Sequence, residues 1–79
     1  MPLEMRLPQF DMLDADATII QWLKTEGDPL KEGDPLVEIE TAKAAGTLEA
    51  PFSGVLSRIV AQPGATVISG TVLAIIEPE

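Results

Sequence analysis

A single lysine, Lys43, stands among small residues in the stretch EIETAKAAGTLEAP, which runs from Glu38 to Pro51. Its amine could act as a catalytic group only in a desolvated pocket that lowers its pKa. A chain of 79 residues buries a small core, which can hardly provide such a pocket. Two interpretations remain on the residues alone: a solvated surface lysine, which the short motif favours, or an amine that another protein modifies covalently.

The inventory of reactive side chains is otherwise poor. The sequence has no histidine, cysteine or tyrosine, so it lacks the commonest general base and the most nucleophilic side chain. Without cysteine, disulfides and cysteine-based zinc sites are excluded. We therefore expect no catalytic residues and no metal site, and we predict that the chain is not an enzyme.

The charge balance limits the class of partner. Thirteen acidic residues against five basic residues give a formal net charge of -8 at pH 7. Such a surface repels phosphate backbones, which argues against nucleic acid as a partner. A protein partner is expected to dock with a basic face.

Length and hydropathy indicate one domain away from membranes. No apolar run approaches the ~18 residues of a membrane span, and the N-terminal MPLEMRLPQF lacks the pattern of a secretory signal. We expect a cytoplasmic domain, and a domain trimmed from an organellar protein would show the same pattern. The domain is predicted over residues 1–79, of which residues 77–79 begin a linker.

The chain contains an internal repeat at an offset of 37 residues. GDPLKEGDPLVEIE (27–40) aligns with GATVISGTVLAIIE (64–77), with five identities in fourteen positions. Two identities are glycines suited to turns, and two are apolar residues suited to strands. Two similar halves predict two sheets that are related by an approximate two-fold axis.

Each half contains short segments rich in β-branched and apolar residues, separated by turn signals that contain glycine and proline. The predicted strands are Thr18–Leu23, Leu36–Glu40, Thr47–Ala50 and Val55–Val60. This pattern predicts an all-β fold: a flattened barrel or sandwich of two antiparallel sheets with quasi-two-fold symmetry.

A helix competes with the strands over residues 36–50, LVEIETAKAAGTLEA, because the segment is rich in helix formers. We favour strands because the matching segment of the repeat, Val72–Glu77, resembles a strand. The chain then reverses over Thr41–Gly46, which places Lys43 at or beside a hairpin tip. In the repeat this position corresponds to the gap between the chain ends, so the lysine and the termini are predicted at opposite poles.

Four further residues are predicted to be structural. Trp22 is expected to be a core or half-buried strand residue, and Phe52 is expected to pack in the second half. Gly33 and Gly54 are expected to serve tight turns.

Two longer stretches carry a family resemblance: residues 19–44, IIQWLKTEGDPLKEGDPLVEIETAKA, and residues 48–76, LEAPFSGVLSRIVAQPGATVISGTVLAII. With the first strand, MRLPQF, they make the whole chain resemble a lipoyl domain of the biotinyl/lipoyl-attachment family. The family signature Glu-Thr-Asp-Lys-Ala corresponds here to ETAKA, Glu40 to Ala44. Lys43 takes the place of the lysine that the family modifies.

The resemblance implies lipoic acid in amide linkage to Lys43, on a flexible arm that shuttles acyl groups and electrons within a 2-oxo-acid dehydrogenase complex. It implies that a lipoate ligase or lipoyl transferase attaches the cofactor. Three further partners follow: a thiamin-diphosphate-dependent 2-oxo-acid decarboxylase, an acyltransferase core and a dihydrolipoamide dehydrogenase. The domain would be part of a larger dihydrolipoamide acyltransferase chain and would itself catalyse none of these steps.

The resemblance also implies recognition residues around the lysine, and these are Glu40, Thr41, Ala42 and Ala44. The acidic loop after the first strand is expected to help partner selection through Asp11, Asp14 and Asp16. The family has aspartate where this chain has Ala42, which predicts an unusual partner preference.

Two alternatives share the predicted fold. A biotin carrier domain of a carboxylase normally brackets its lysine with methionines, whereas alanines flank Lys43 here. An unmodified interaction module of the same fold is the third interpretation.

Overall fold

The computed structural model describes residues 1–7, 16–42 and 44–79, and these ranges form strands and turns without a helix. The eight strands are β1 (Leu3–Arg6), β2 (Ala17–Trp22), β3 (Pro29–Leu30), β4 (Pro35–Glu40), β5 (Ala45–Glu49), β6 (Gly54–Ile59), β7 (Thr66–Val67) and β8 (Val72–Pro78). The predicted all-β class is confirmed. The competing helix over residues 36–50 is wrong, because β4 and β5 occupy that segment.

The strands form two antiparallel four-stranded sheets. One, here called the terminal sheet, has the order β1-β8-β6-β3 and contains both chain ends. The other, here called the hairpin sheet, has the order β5-β4-β2-β7 and contains the hairpin that joins β4 to β5. The two sheets pack as the predicted flattened sandwich.

The predicted repeat is also present in the structure. Adding 37 to the bounds of β2 and β3 gives the bounds of β6 and β7, and the same offset takes the start of β4 to the start of β8. The hydrogen bonds repeat as well: Gly27 N–H donates to the Leu56 carbonyl at 2.7 Å, and Gly64 N–H donates to the Ile19 carbonyl at 2.7 Å. The quasi-two-fold relation is therefore built into the backbone hydrogen bonds.

Four glycines at turns follow the same offset. The φ angles lie between 87° and 97° at Gly27, Gly33, Gly64 and Gly70. Residues with a Cβ rarely adopt this backbone conformation. The turn predicted at Gly33 is confirmed.

Gly54 does not form the predicted tight turn. It is buried at the start of β6, paired with Pro78 of β8. A Cβ at this position would lie 2.1 Å from the carbonyl oxygen of Glu77. Glycine is required here because two strands approach closely, which sequence patterns do not distinguish from a turn.

One apolar layer between the sheets forms the core. Within the described ranges no polar or charged residue is buried. Fifteen apolar residues are buried: Met5, Leu7, Ala17, Ile19, Leu30, Leu36, Val37, Ile39, Ala50, Leu56, Ala61, Val67, Leu73, Ala74 and Ile76.

The two predicted structural aromatics pack against this core and are partly buried, as expected for Trp22 and Phe52. The indole Nε1–H of Trp22 donates to the Ala61 carbonyl at 2.8 Å. This bond satisfies the polar end of a side chain whose ring lies against the core.

Two predicted boundaries differ from the structure. Strand β1 overlaps the expected MRLPQF segment at Met5 and Arg6, and residues 8–10 lie outside the described residues. Strand β8 continues through Pro78, and Glu79 N–H donates to the Ser53 carbonyl at 3.2 Å. The predicted linker at residues 77–79 is therefore wrong for Glu77 and Pro78, which belong to the sheet.

Replacing Gly54 with alanine should destabilise the domain by about 3 kcal/mol, because the new methyl group would overlap the backbone of β8. The matched control is Gly46→Ala, since a Cβ at Gly46 has no neighbour within 4 Å and its φ is not positive. That change should alter the free energy of unfolding by less than about 1 kcal/mol. Urea denaturation of both variants measures the difference, and equal losses would contradict the close approach at Gly54.

Candidate functional site

The hairpin between β4 and β5 is the segment predicted to carry the lysine. Strand β4 ends at Glu40, strand β5 begins at Ala45, and these two residues are paired. Four residues, 41–44, therefore connect the two strands. The predicted reversal over Thr41–Gly46 is confirmed, and it is tighter than predicted because Ala45 and Gly46 already belong to β5.

Thr41 closes this turn with its side chain and its backbone. Its N–H donates to the Ala44 carbonyl at 2.7 Å, and its hydroxyl lies 3.0 Å from the same oxygen. The Ala44 N–H in turn lies 3.2 Å from the Thr41 hydroxyl oxygen. The Thr41 hydroxyl therefore supports a turn whose sequence lacks the Asn-Gly or Asp-Gly pair that two-residue hairpin turns prefer. This structural role was missed, although a threonine at the start of a turn is its signal.

Three of the predicted site residues, Lys43, Asp11 and Asp14, lie outside the described residues. Their predicted roles in cofactor attachment and partner selection remain predictions. The residues on either side of Lys43 in the chain, Ala42 and Ala44, are both exposed.

The segment that follows the lysine is also small and exposed. Ala44, Ala45, Gly46 and Thr47 are all exposed, and a Cβ at Gly46 would meet no atom within 4 Å. This arrangement leaves space around the hairpin into which another protein can close.

Glu40 and Asp16 are two predicted recognition residues that the structure brings to the same end of the hairpin sheet. Both are exposed. Glu40 pairs with Thr18 across β4 and β2, and Asp16 immediately precedes β2. Two carboxylates therefore flank the base of the hairpin.

The chain ends lie in the terminal sheet, where β1 pairs with β8. The N-terminal ammonium group is 3.8 Å from Oε1 of Glu77, the residue that the repeat equates with Glu40. The two-fold relation therefore places the termini where the other half has its hairpin. The predicted separation of hairpin and termini is confirmed, on a molecule whose longest extent is 34 Å.

The described ranges contain neither a cluster of metal ligands nor a membrane-spanning helix. No group of three or more acidic residues there could hold a metal ion. No helix in that part of the chain is long and apolar enough to cross a membrane.

A comparison with protein families matches residues 3–76 to the biotin/lipoyl family described as "Biotin-requiring enzyme". Among curated relatives, the chain is 40% identical over 70 residues to the dihydrolipoyllysine-residue acetyltransferase component of an acetoin cleaving system from Pseudomonas putida. That match covers 89% of this chain and 19% of the relative.

Two further relatives match nearly the whole chain. It is 37% identical over 79 residues to the mitochondrial pyruvate dehydrogenase protein X component of Mus musculus, covering 99% of this chain and 16% of the relative. It is 37% identical over 76 residues to the succinyltransferase component of the 2-oxoglutarate dehydrogenase complex of Cupriavidus necator. That match covers 96% of this chain and 18% of the relative. The chain thus spans less than a fifth of the length of these relatives.

Two solved structures are similar. The lipoyl domain of the 2-oxoglutarate dehydrogenase complex from Azotobacter vinelandii superposes with a TM-score of 0.75 at 33% identity, covering 98% of this chain and 99% of that one. A long-chain acyl-CoA carboxylase superposes with a TM-score of 0.80 at 23% identity, covering 99% of this chain and 7% of that one. This second match is a likeness of fold alone. This chain belongs to the biotin/lipoyl-attachment family and is a lipoyl domain of the kind found in acyltransferase components.

Replacing Thr41 with valine keeps the shape of the side chain and removes the hydroxyl that contacts Ala44. We expect a loss of about 1 kcal/mol in stability and faster hydrogen exchange of the Ala44 amide. Thr41→Ser, which retains the hydroxyl, is the control and should keep the amide protected. If valine leaves the exchange rate of Ala44 unchanged, the hydroxyl does not hold the turn.

Proposed function

We propose that Lys43 carries lipoic acid in amide linkage and that the domain presents this group to the active sites of a 2-oxo-acid dehydrogenase complex. The observation that carries the proposal is the β4–β5 hairpin, whose described residues are small and exposed on both sides of the lysine. The likeness to lipoyl domains over nearly the whole chain supports it.

The residues of the hairpin fit a covalently attached group. Amide formation joins the lysine amine to the carboxyl group of lipoic acid, releases water overall and removes one positive charge. The domain, whose net charge is -8, becomes one unit more negative. Bound lipoate supplies a dithiolane for acyl and electron transfer, while the protein contributes presentation. A tethered group also reaches each partner at a raised local concentration.

The partners follow from this role. A lipoate ligase or lipoyl transferase would attach the cofactor, and a thiamin-diphosphate-dependent decarboxylase would acylate it. An acyltransferase core would then receive the acyl group, and dihydrolipoamide dehydrogenase would reoxidise the dithiol. We assign all catalysis to these enzymes, and we place the domain in the cytoplasm, or in the mitochondrial matrix of a eukaryote.

The loop before β2 supports a role in partner selection. Ten residues, 7–16, connect β1 to β2, whereas four residues, 50–53, connect β5 to β6 in the other half. The connection before β2 is thus six residues longer, and its sequence includes Asp11 and Asp14. Connections between strands are frequent places for recognition residues.

Incubation with lipoate ligase, lipoic acid and ATP should add the mass of one lipoyl group to the unmodified domain. Lys43→Arg should abolish the gain because arginine keeps the charge but lacks an amine that forms this amide. Lys31→Arg, at an exposed lysine in β-strand-connecting sequence outside the hairpin, should leave it unchanged. Intact-mass spectrometry gives the readout. A gain with biotin ligase and biotin instead would identify a biotin carrier, and no gain with either ligase would identify an unmodified module.

Ala42→Asp restores the residue typical of the family beside the lysine. Added charge at an exposed turn residue should raise reductive acylation of the lipoylated domain by a 2-oxo-acid decarboxylase by about tenfold in kcat/KM. The control Ser57→Asp adds the same charge on exposed β6, away from the hairpin, and should have no effect. Equal rates for Ala42→Asp and the unaltered domain, measured with several decarboxylases, would show that position 42 is not a recognition element.

A further inference from the structure

An open groove of about 360 Å³ lies on the hairpin sheet directly beside the hairpin. It crosses three neighbouring strands, β2, β4 and β5. Its lining consists of Ile20, Glu38, Ile39, Glu40, Ala45, Gly46 and Thr47. No basic residue is part of this lining.

The large exposed apolar side chain of the groove is Ile20, which is 46% exposed. The pairing of β2 with β4 shifts by one residue between Ile19 and Gln21. Ile19 is fully buried, and Ile20 occupies the irregular position between the two paired residues. The β-bulge thus presents an aliphatic side chain to solvent in the middle of the sheet surface.

The other half of the molecule shows that the sheet does not need an aliphatic residue there. The repeat equates Ile20 with Ser57, which lies at the corresponding shift of pairing, between Leu56 and Arg58. Ser57 is exposed in the same way. The same offset equates Glu38 with the apolar Ile75. The apolar residue on the bulge and the carboxylate beside it are therefore particular to the half that bears the lysine.

The two glutamates give the groove a negative charge. Glu38 accepts a hydrogen bond from Nε2 of Gln21 at 2.8 Å. Glu40 makes no side-chain hydrogen bond or ion pair with any residue in the described ranges. An aliphatic surface beside two carboxylates matches the stem and the cationic head of a lysine or arginine side chain.

We propose that this groove, formed around Ile20, Glu38 and Glu40, docks a basic side chain of the enzyme that attaches the cofactor to Lys43. In this complex the methylene stem of the basic residue covers Ile20, and its charged head meets Glu38 and Glu40. The inference rests on the proposed function and adds to it the surface by which the unmodified domain is recognised.

The distance at which each enzyme must work from the hairpin favours the attaching enzyme as the partner that docks in the groove. That enzyme must bring the lysine amine itself into its active site, so its body must approach to within one lysine side chain of the hairpin. The groove is lined by Ala45 and Gly46, two and three residues from Lys43 in the chain. The enzymes that act later engage the far end of a lipoyl arm, so their chemistry does not require this close approach.

The experiment measures lipoylation of the 79-residue domain by lipoate ligase, with intact-mass spectrometry at several domain concentrations. Ile20→Ser gives the groove the residue that the other half has, and Glu38→Gln removes one charge without changing the shape. Each variant should raise KM and thereby lower kcat/KM by about tenfold, which is the effect expected from the loss of one contact of this kind. Added salt should raise KM for the unaltered domain more than for Glu38→Gln.

Two control variants alter one exposed aliphatic residue and one carboxylate in the other half. Val55→Thr replaces an exposed aliphatic residue, 41% exposed, with the threonine that the repeat has at Thr18. Glu77→Gln removes one charge from the exposed residue that corresponds to Glu40. Both should be lipoylated at the unaltered rate. Amide signals of residues 38–40 and 45–47 should shift when ligase is added, while those of residues 75–77 stay in place.

The outcomes separate the two proposals. If the unaltered domain gains no lipoyl group, the proposed function fails. If it is lipoylated and all four variants keep kcat/KM within twofold, the groove is not the docking surface. A loss with Glu77→Gln as large as that with Glu38→Gln would show that net charge alone guides the enzyme, and would also overturn the groove. Thermal unfolding of each variant shows that a slower rate does not come from a loss of fold.

Discussion

The burial of one apolar layer between two four-stranded sheets is the interaction on which the other features of this domain depend. Fifteen apolar side chains are buried there, and the described ranges hold no buried charge or buried polar side chain without a partner. Because the sandwich does not rely on buried polar contacts, its surface residues can vary without loss of the core. The small, exposed turn is such a variation, made on one half of a symmetric body.

Function in such a protein depends on position more than on reactivity. A group carrier needs a single amine, space around it and a body that does not compete for the attached group. Strands β4 and β5 supply the position, Thr41 closes the turn, and the alanines and glycine that follow leave the space. The opposite end holds the chain termini, so a longer chain can continue from the domain without crowding the hairpin.

Much of the fold could be predicted from the sequence because the repeat at an offset of 37 residues constrains both halves at once. The strand predicted over Leu36–Glu40 was correct within one residue, since the matching segment of the repeat, Val72–Glu77, indicated it. The purpose of Gly54 could not be predicted, because a close approach between β6 and β8 depends on sheet packing that no local pattern records. The end of β8 was missed for a similar reason: Pro78 resembles a linker residue but pairs with Gly54.

The short strands β3 and β7 are exchanged between the halves. Strand β3 follows β2 in the chain but pairs with β6, and β7 follows β6 but pairs with β2. A segment from β2 to β5 alone would therefore lack one strand of its own sheet and would carry another with no sheet to join. Two identical copies of such a segment could complete each other by reciprocal strand exchange. The domain therefore has the architecture of a strand-swapped dimer whose two halves are joined in one chain. Strand β1 pairs with β8 as β5 pairs with β4, so β1 completes the second half from the other end of the sequence, as in a circularly permuted repeat.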